Sequence, residues 1–244
     1  MEFFPIKTRP LNPPQDDLFE VIDKYLLDVK DWDIIFITSK VVSIHQWDTI
    51  YNDWKIEKED LIRQEAKYMV ESDIISEWKS FFLTIKDNIL IASAWIDESN
   101  ANGYFILWPK KPVDFAQKVH KFLCDKYSIK KLWVIITDSA TKPLKLWVVG
   151  IAMASYWIEP LNDKRGQNDI FWKKLAVTQV NIIDALAPAA VFLMWEANET
   201  QPIVIARDVP WIVYNEKKSL YDEMEIRPEE DLYWILLKPL INKK

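Results

Sequence analysis

Apolar positions along the chain follow two periods. After the loop Leu11-Asn12-Pro13-Pro14, the pair Asp16-Asp17 precedes Leu18, Val21, Ile22, Tyr25 and Leu26. That three-to-four-residue recurrence buries one face of a helix, and an aspartate just ahead of it suits a helix start. Pro112 to Tyr127 carries the same period, with Phe115, Val119, Phe122 and Leu123 facing inward. Gln179 to Met194 is apolar nearly throughout and predicts a long buried helix, whereas the charged stretch Glu57 to Glu71 predicts an exposed one. Strands are predicted at Asp33 to Val42 (interrupted at Ser39-Lys40), Asn88 to Ala94, Gly103 to Trp108, Leu132 to Thr137, Leu146 to Met153 and Pro202 to Ala206. The Val and Ile runs among them suit a buried sheet. Helices and strands occur without regular βαβ alternation, so the expected class is α+β with mixed sheets rather than a doubly wound sheet. No linker of biased composition divides residues 1–244, which are read as one domain.

Composition narrows the function. Half of the residues are apolar, enough for a sizeable core, and a net charge of −6 is spread over interspersed acids and bases. Without a basic stripe, nucleic acid is not an expected partner. Cys124 is the only cysteine, so no disulfide framework exists, which fits a reducing cytoplasm. Met1-Glu2-Phe3-Phe4-Pro5 lacks the basic and apolar regions of a signal peptide, and no run reaches the roughly 20 apolar residues of a membrane span. A cytoplasmic protein without a membrane partner is expected.

One feature of the composition is abnormal: thirteen tryptophans and only three glycines. A glycine share of about 7 % would give roughly 17. Several tryptophans stand at punctuation points between elements, as in Lys30-Asp31-Trp32-Asp33, in His45-Gln46-Trp47 and in Ser155-Tyr156-Trp157. Turns select glycine at such points. UGA specifies tryptophan in one variant genetic code and glycine in another, so many of these letters are read here as glycine codons translated as tryptophan. The competing reading is a genuinely tryptophan-rich chain, such as a carbohydrate binder with stacking platforms.

Candidate chemistry is all oxygen-based. Asp97-Glu98-Ser99-Asn100 stands between two apolar strands, Asp138-Ser139 ends a buried strand, and Glu196 follows the long apolar helix. In Asp138-Ser139, a carboxylate followed by a hydroxyl at a buried strand's C-terminal end suits a hard cation. Each of the three also has a plain structural reading: a polar connecting turn, a helix N-cap or turn starter, and a solvated helix end. Asp163, Arg165 and Asp169 lie in a charged segment whose default reading is a surface loop. His45 and His120 lack ligand spacing with Cys124, which argues against zinc. There is no nucleophile elbow and no Walker A loop.

Together these blocks resemble the coenzyme F420:L-glutamate ligase (γ-glutamyl ligase) family over Pro5 to about Asp208. The resemblance is carried by Asp33-Ile34-Ile35-Phe36-Ile37-Thr38-Ser39-Lys40, Ser93-Ala94-Trp95-Ile96-Asp97-Glu98-Ser99-Asn100, Val134-Ile135-Ile136-Thr137-Asp138-Ser139, Val148-Val149-Gly150-Ile151-Ala152, Pro160-Leu161-Asn162-Asp163-Lys164-Arg165-Gly166 and Asp184-Ala185-Leu186-Ala187. It implies an α+β fold of two interlocked subdomains in an intertwined homodimer. It also implies a GTP-dependent ligase joining L-glutamate to an acceptor carboxylate through an acyl phosphate. The acceptor would be the coenzyme F420-0 precursor or a folate-like carboxylate, and a non-catalytic metal- or nucleotide-binding homologue stays open. Carried over by residue, Asp97 and Asp138 are the catalytic pair and hold a first Mg²⁺ or Mn²⁺, while Ser139 and Glu196 hold a second. K⁺ is a further candidate ion. Pro5, Ile6, Lys7, Thr8, Ser39, Lys40 and Asn100 match nucleotide contacts, with Lys40 on a phosphate. The loop Met194, Trp195, Glu196, Ala197, Asn198, Glu199, ending at Gln201, would wrap the phosphates. The family has glycine where this chain has Trp32, Trp47, Trp95, Trp133, Trp147, Trp157, Trp172 and Trp195, with Trp234 a further case. Trp108 reads as authentic, and Trp54, Trp78 and Trp211 are unassigned. Two departures stand out: Ile44-His45 replaces a frequent lysine, and Trp195 as written obstructs close backbone approach.

Overall fold

A computed structural model describes residues 1–71, 82–219, 224 and 226–241. Its centre is a six-stranded mixed sheet built on β2 (Ile34–Thr38). The remaining strands of that sheet are β1 (Glu2–Ile6), β8 (Trp133–Thr141), β9 (Val148–Ile158), β12 (Ile203–Arg207) and β13 (Tyr214–Ser219), in the order β1-β12-β2-β8-β9-β13. Only β2 and β8 run parallel; the other pairs are antiparallel. Smaller sheets join β3 (Thr49–Tyr51) to β7 (Tyr104–Ile106), and β4 (Tyr68–Glu71) to β5 (Phe82–Lys86) and β6 (Ile89–Ala92). β10 (Leu161–Asp163) and β11 (Gln179–Asn181) form a projecting two-stranded arm. The class is α+β, as expected.

Strand periodicity builds two cores. Ile35, Ile37, Val134, Ile136, Ile203 and Ile205 face α1 (Leu18–Tyr25), α2 (Ser39–His45) and α4 (Pro112–Tyr127). Their neighbours Ile34, Phe36, Ile135, Val204 and Ala206 face α5 (Ile182–Met194). Successive side chains on a strand point to opposite faces, so continuous apolar runs are what a sheet covered on both sides requires. Asp17 caps α1 by accepting the Phe19 amide at 2.8 Å. Gly150 on β9 lies so close to α5 that a Cβ there would meet Val191 Cβ at 2.7 Å and the Ala187 carbonyl at 2.8 Å.

The structure moves several boundaries. The strand read as ending at Thr137 runs on to Thr141, because residues 138–141 stay paired with β9, so Asp138 and Ser139 lie inside β8 rather than at its end. The strand read from Leu146 to Met153 is β9 and extends to Ile158. Val41 and Val42 belong to α2, because the strand beginning at Ile34 ends at Thr38. The stretch read as a helix from Glu57 to Glu71 divides into α3 (Lys58–Glu65) and β4. The long apolar helix begins at Ile182 rather than Gln179, because Asn181 accepts the Asp184 amide at 3.1 Å and caps it there. The final helix, α6, spans Trp234–Ile241.

Candidate active site

Sheet register gathers the candidate residues at one end of the molecule. Because β2 and β8 are parallel and Thr38 pairs with Thr137, β2 turns into α2 where β8 continues along β9, bringing Ser39 next to Asp138. Ile203 pairs with both Ile37 and Ile6, so the segment entering β12 and the one leaving β1 lie at the same end. Met194, at the C-terminus of α5, places its sulfur 3.8 Å from Thr137 Oγ1. Between these elements lies a cavity of about 490 Å³.

Asp97 reaches the cavity from the other side. Residues Ser93–Trp95 form a 3-10 turn after β6, and Asp97 bridges Ile106 through a pair of backbone hydrogen bonds. Its carboxylate accepts the Lys40 ammonium at 2.6 Å and the Ser99 amide at 2.7 Å. Lys40 also donates to the Ser99 carbonyl at 2.8 Å. Asn100 crosses to the other wall and donates to the Ala197 carbonyl at 2.7 Å. Asp138 accepts from the Ser39 hydroxyl and from the Ser139 amide.

The surroundings shift the three carboxylates differently. Burial pushes Asp138 up to about 7, opposed by the Ser139 amide and the Trp95 indole, with the Asp97 charge adding to the rise. Burial also raises Glu196, although the Ser139 hydroxyl and Lys40 oppose it. Asp97 is subject to the same desolvation, but Lys40 and Ser99 outweigh it and hold its acid strength above that of an ordinary aspartate. Acidic groups in one cleft whose environments push them apart are a signature of functional sites.

Of the residues singled out in the sequence, Thr8, Lys40, Asp97, Asn100, Asp138, Ser139 and Met194 to Gln201 line this cavity together. Ser39 stands behind it on Asp138. Pro5 and Ile6 lie on β1, and Lys7 is exposed just after it; the lining begins at Thr8. Arg9, Asn12 and Asn102 also line the cavity, and sequence reading missed them. Arg9 is held by a two-pronged bond to Asp16, 2.5 and 2.7 Å long. An Arg and Asp seven residues apart across a proline-rich loop carry no periodic signal that would have exposed the pairing. Asp163 and Arg165 pair with each other on the exposed arm and are not part of this lining.

The donor set suits a divalent cation. Asp97, Asp138, Glu196 and Glu199 outnumber Lys40 and the already paired Arg9 in the lining. Such a cavity repels phosphate unless a cation offsets the carboxylates, and oxygen donors favour Mg²⁺ or Mn²⁺. Among the described residues, no three His, Cys, Asp or Glu side chains are gathered closely enough to hold an ion as they stand.

Comparison with known proteins shows the family. The profile of the family described as F420-0:Gamma-glutamyl ligase matches residues 5–208. The chain is 32 % identical over 205 residues to a protein named coenzyme F420:L-glutamate ligase from Methanocaldococcus jannaschii, covering 79 % of this chain and 81 % of that one. It is 30 % identical over 228 residues to a protein of the same name from Methanococcus maripaludis, covering 88 % and 90 %. A third such protein, from Methanosarcina barkeri, is 29 % identical over 240 residues, covering 94 % and 92 %.

Proposed function

The chain belongs to the F420-0:γ-glutamyl ligase family, and from that premise we propose that it joins L-glutamate to the carboxylate of a coenzyme F420-0-type acceptor, with GTP as co-substrate. The observation that carries this reading is the convergence of Asp97, Asp138, Ser139, Glu196 and Lys40 on one cavity beside the carboxyl end of β2 and the second half of β8. The acceptor carboxylate attacks the γ-phosphorus of GTP, forming an acyl phosphate and GDP. The α-amine of glutamate then attacks the acyl carbon, the amide forms, the amine proton leaves to solvent or a nearby base, and phosphate departs. Two like-charged reactants must be brought together, so positioning and charge neutralisation supply most of the rate.

Asp97 and Asp138 would hold one divalent cation, and Ser139 and Glu196 a second; bound there, the cations neutralise the polyphosphate. The chain's own residues do the rest. Lys40, now tied to Asp97, is placed to turn to a phosphate oxygen. Asn100 holds the loop that begins at Trp195 across the cavity mouth through Ala197. Glu196 on that loop already meets the Ser139 hydroxyl, its proposed partner on the second ion.

The test is a mass-spectrometric assay of purified protein with GTP, L-glutamate, an F420-0-type acceptor and Mg²⁺ or Mn²⁺. A glutamylated acceptor and stoichiometric GDP are expected only when all three substrates are present. GTP consumption without glutamate adduct would overturn the assignment.

The same reading includes a homodimer. Leu144, Leu146, Ile170, Phe171 and Val177 are almost fully exposed on the β8–β9 turn and the projecting arm. A protein seldom leaves so much apolar surface uncovered. Light scattering should give twice the chain mass, and a monomer at micromolar concentration would count against it.

A further inference from the structure

We infer that nine of the tryptophans in this sequence are glycine in the protein as its source makes it: Trp32, Trp47, Trp54, Trp95, Trp147, Trp157, Trp172, Trp195 and Trp211. The inference rests on backbone conformation and does not depend on the ligase reading.

All nine have positive φ. Only a few per cent of non-glycine residues do, chiefly Asn and Asp, and for a bulky residue such a φ is an outlier. At that rate thirteen tryptophans would supply fewer than one. The angles also separate by residue type. The nine tryptophans span 60–74°, whereas every other non-glycine residue with positive φ lies between 44° and 58°. The latter cluster near the left-handed well at about +57° that L residues can occupy. The two positive-φ glycines lie further out, at 79° and 83°. Positive φ carries a Cβ cost for every L residue and none for glycine, and a bulky indole is among the side chains least suited to it. Trp195 has φ 64° with ψ −172°, a region essentially restricted to glycine.

Side-chain placement agrees. Seven of the nine are exposed, Trp54, Trp172 and Trp211 by about four-fifths or more, so their indoles gain little from burial. Trp157 is instead crowded, with its ring centroid 4.1 Å from that of His120 and 4.4 Å from that of Tyr214. Trp108 is the contrast: it is 5 % exposed and is not among the positive-φ residues. Trp133 and Trp234 also lack positive φ, so their backbones do not call for glycine. Trp78 lies outside the described residues.

This assignment extends to Trp54 and Trp211, which the sequence left open, and it alters the cavity. Glycine at 95 removes the indole donor to Asp138, and glycine at 195 clears an aromatic ring from the head of the loop that lines the cavity. The chemical origin is a UGA codon read as glycine by the source and translated here as tryptophan.

Two measurements test the inference. In peptides of the protein isolated from its source cells, the nine positions should carry glycine masses and position 108 a tryptophan mass. Tryptophan masses at the nine would overturn it. Separately, a chain with glycine at all nine should melt on the order of 20 °C above the chain as written, or fold where that chain does not. Trp108→Gly should instead lower Tm. An equal or lower Tm for the nine-glycine chain would overturn the inference. A stable nine-glycine protein that forms no amide would overturn the ligase reading alone.

Discussion

Asp138→Asn and Asp97→Asn should each lower GTP-dependent amide formation by on the order of 10³-fold, because each would remove a carboxylate from the cation that the proposed mechanism places there, a cation worth several kcal/mol to phosphoryl transfer. The two variants should part company in stability. Asp138 is held near 7 in the folded chain, chiefly by burial, against an ordinary value of 3.8. The folded state therefore binds this proton more tightly than the unfolded state does. Its effect is neutral below about pH 4, grows unfavourable between about pH 4 and 7, and levels off above that at roughly 4 kcal/mol. Neutral asparagine is free of that penalty. In chelator at pH 8, Asp138→Asn should be more stable than the parent, and near pH 4 the two should converge. Asp97 is lowered instead, by Lys40 and Ser99 acting against burial. Its replacement should therefore lose stability at neutral pH. Urea titrations at both pH values, beside the turnover assay, check this. An inactive Asp138→Asn that is also less stable at pH 8 would mark the residue as structural.

Arg207→Met should be the most damaging single change away from the cavity. Arg207 on β12 meets Asp33 with two parallel bonds of 2.8 Å. The Asp33 side chain is 0 % exposed and that of Arg207 18 %. Asp33 also accepts the Lys30 amide, and Arg207 donates to the Asp28 carbonyl, so the pair fixes the start of β2. Its charged partners hold the guanidinium proton more tightly than usual. Removing the cation leaves a buried carboxylate uncompensated, a loss of about 3–5 kcal/mol and a Tm drop on the order of 10 °C. Adding Asp33→Asn should recover much of it, since the orphaned charge is what destabilises. Calorimetry of the single and double variants decides this. A double variant no better than the single would show that the pair acts through packing.

The contrast between these two sites reflects what local sequence encodes. The α4 helix is legible from Pro112 to Tyr127 because proline suits a first helical turn and one face is apolar apart from His120. The helix α2 is not: Val41, Val42 and Ile44 are all buried, and a short helix buried on every side carries no periodicity to distinguish it from a strand. The site followed the same rule. Asp97, Asp138 and Glu196 could be picked out as oxygen donors beside apolar runs, and the family resemblance joined them. Their convergence depends on the parallel register of β2 with β8 and on β12 threading between β1 and β2, pairings between distant segments that no local window contains. Arg9 and Asn102 were invisible for that reason. Misplaced tryptophans were legible because glycine requirements are local, and backbone angles then separated nine of them from Trp108.

The most direct test of the ligase account is oxygen transfer. With ¹⁸O in the acceptor carboxylate, one turnover should leave a single ¹⁸O atom in the released inorganic phosphate, because the carboxylate oxygen bonded to phosphorus departs with it when glutamate forms the amide. Amide product accompanied by unlabelled phosphate would contradict the acyl-phosphate route, and no amide product at all would contradict the assignment to this reaction.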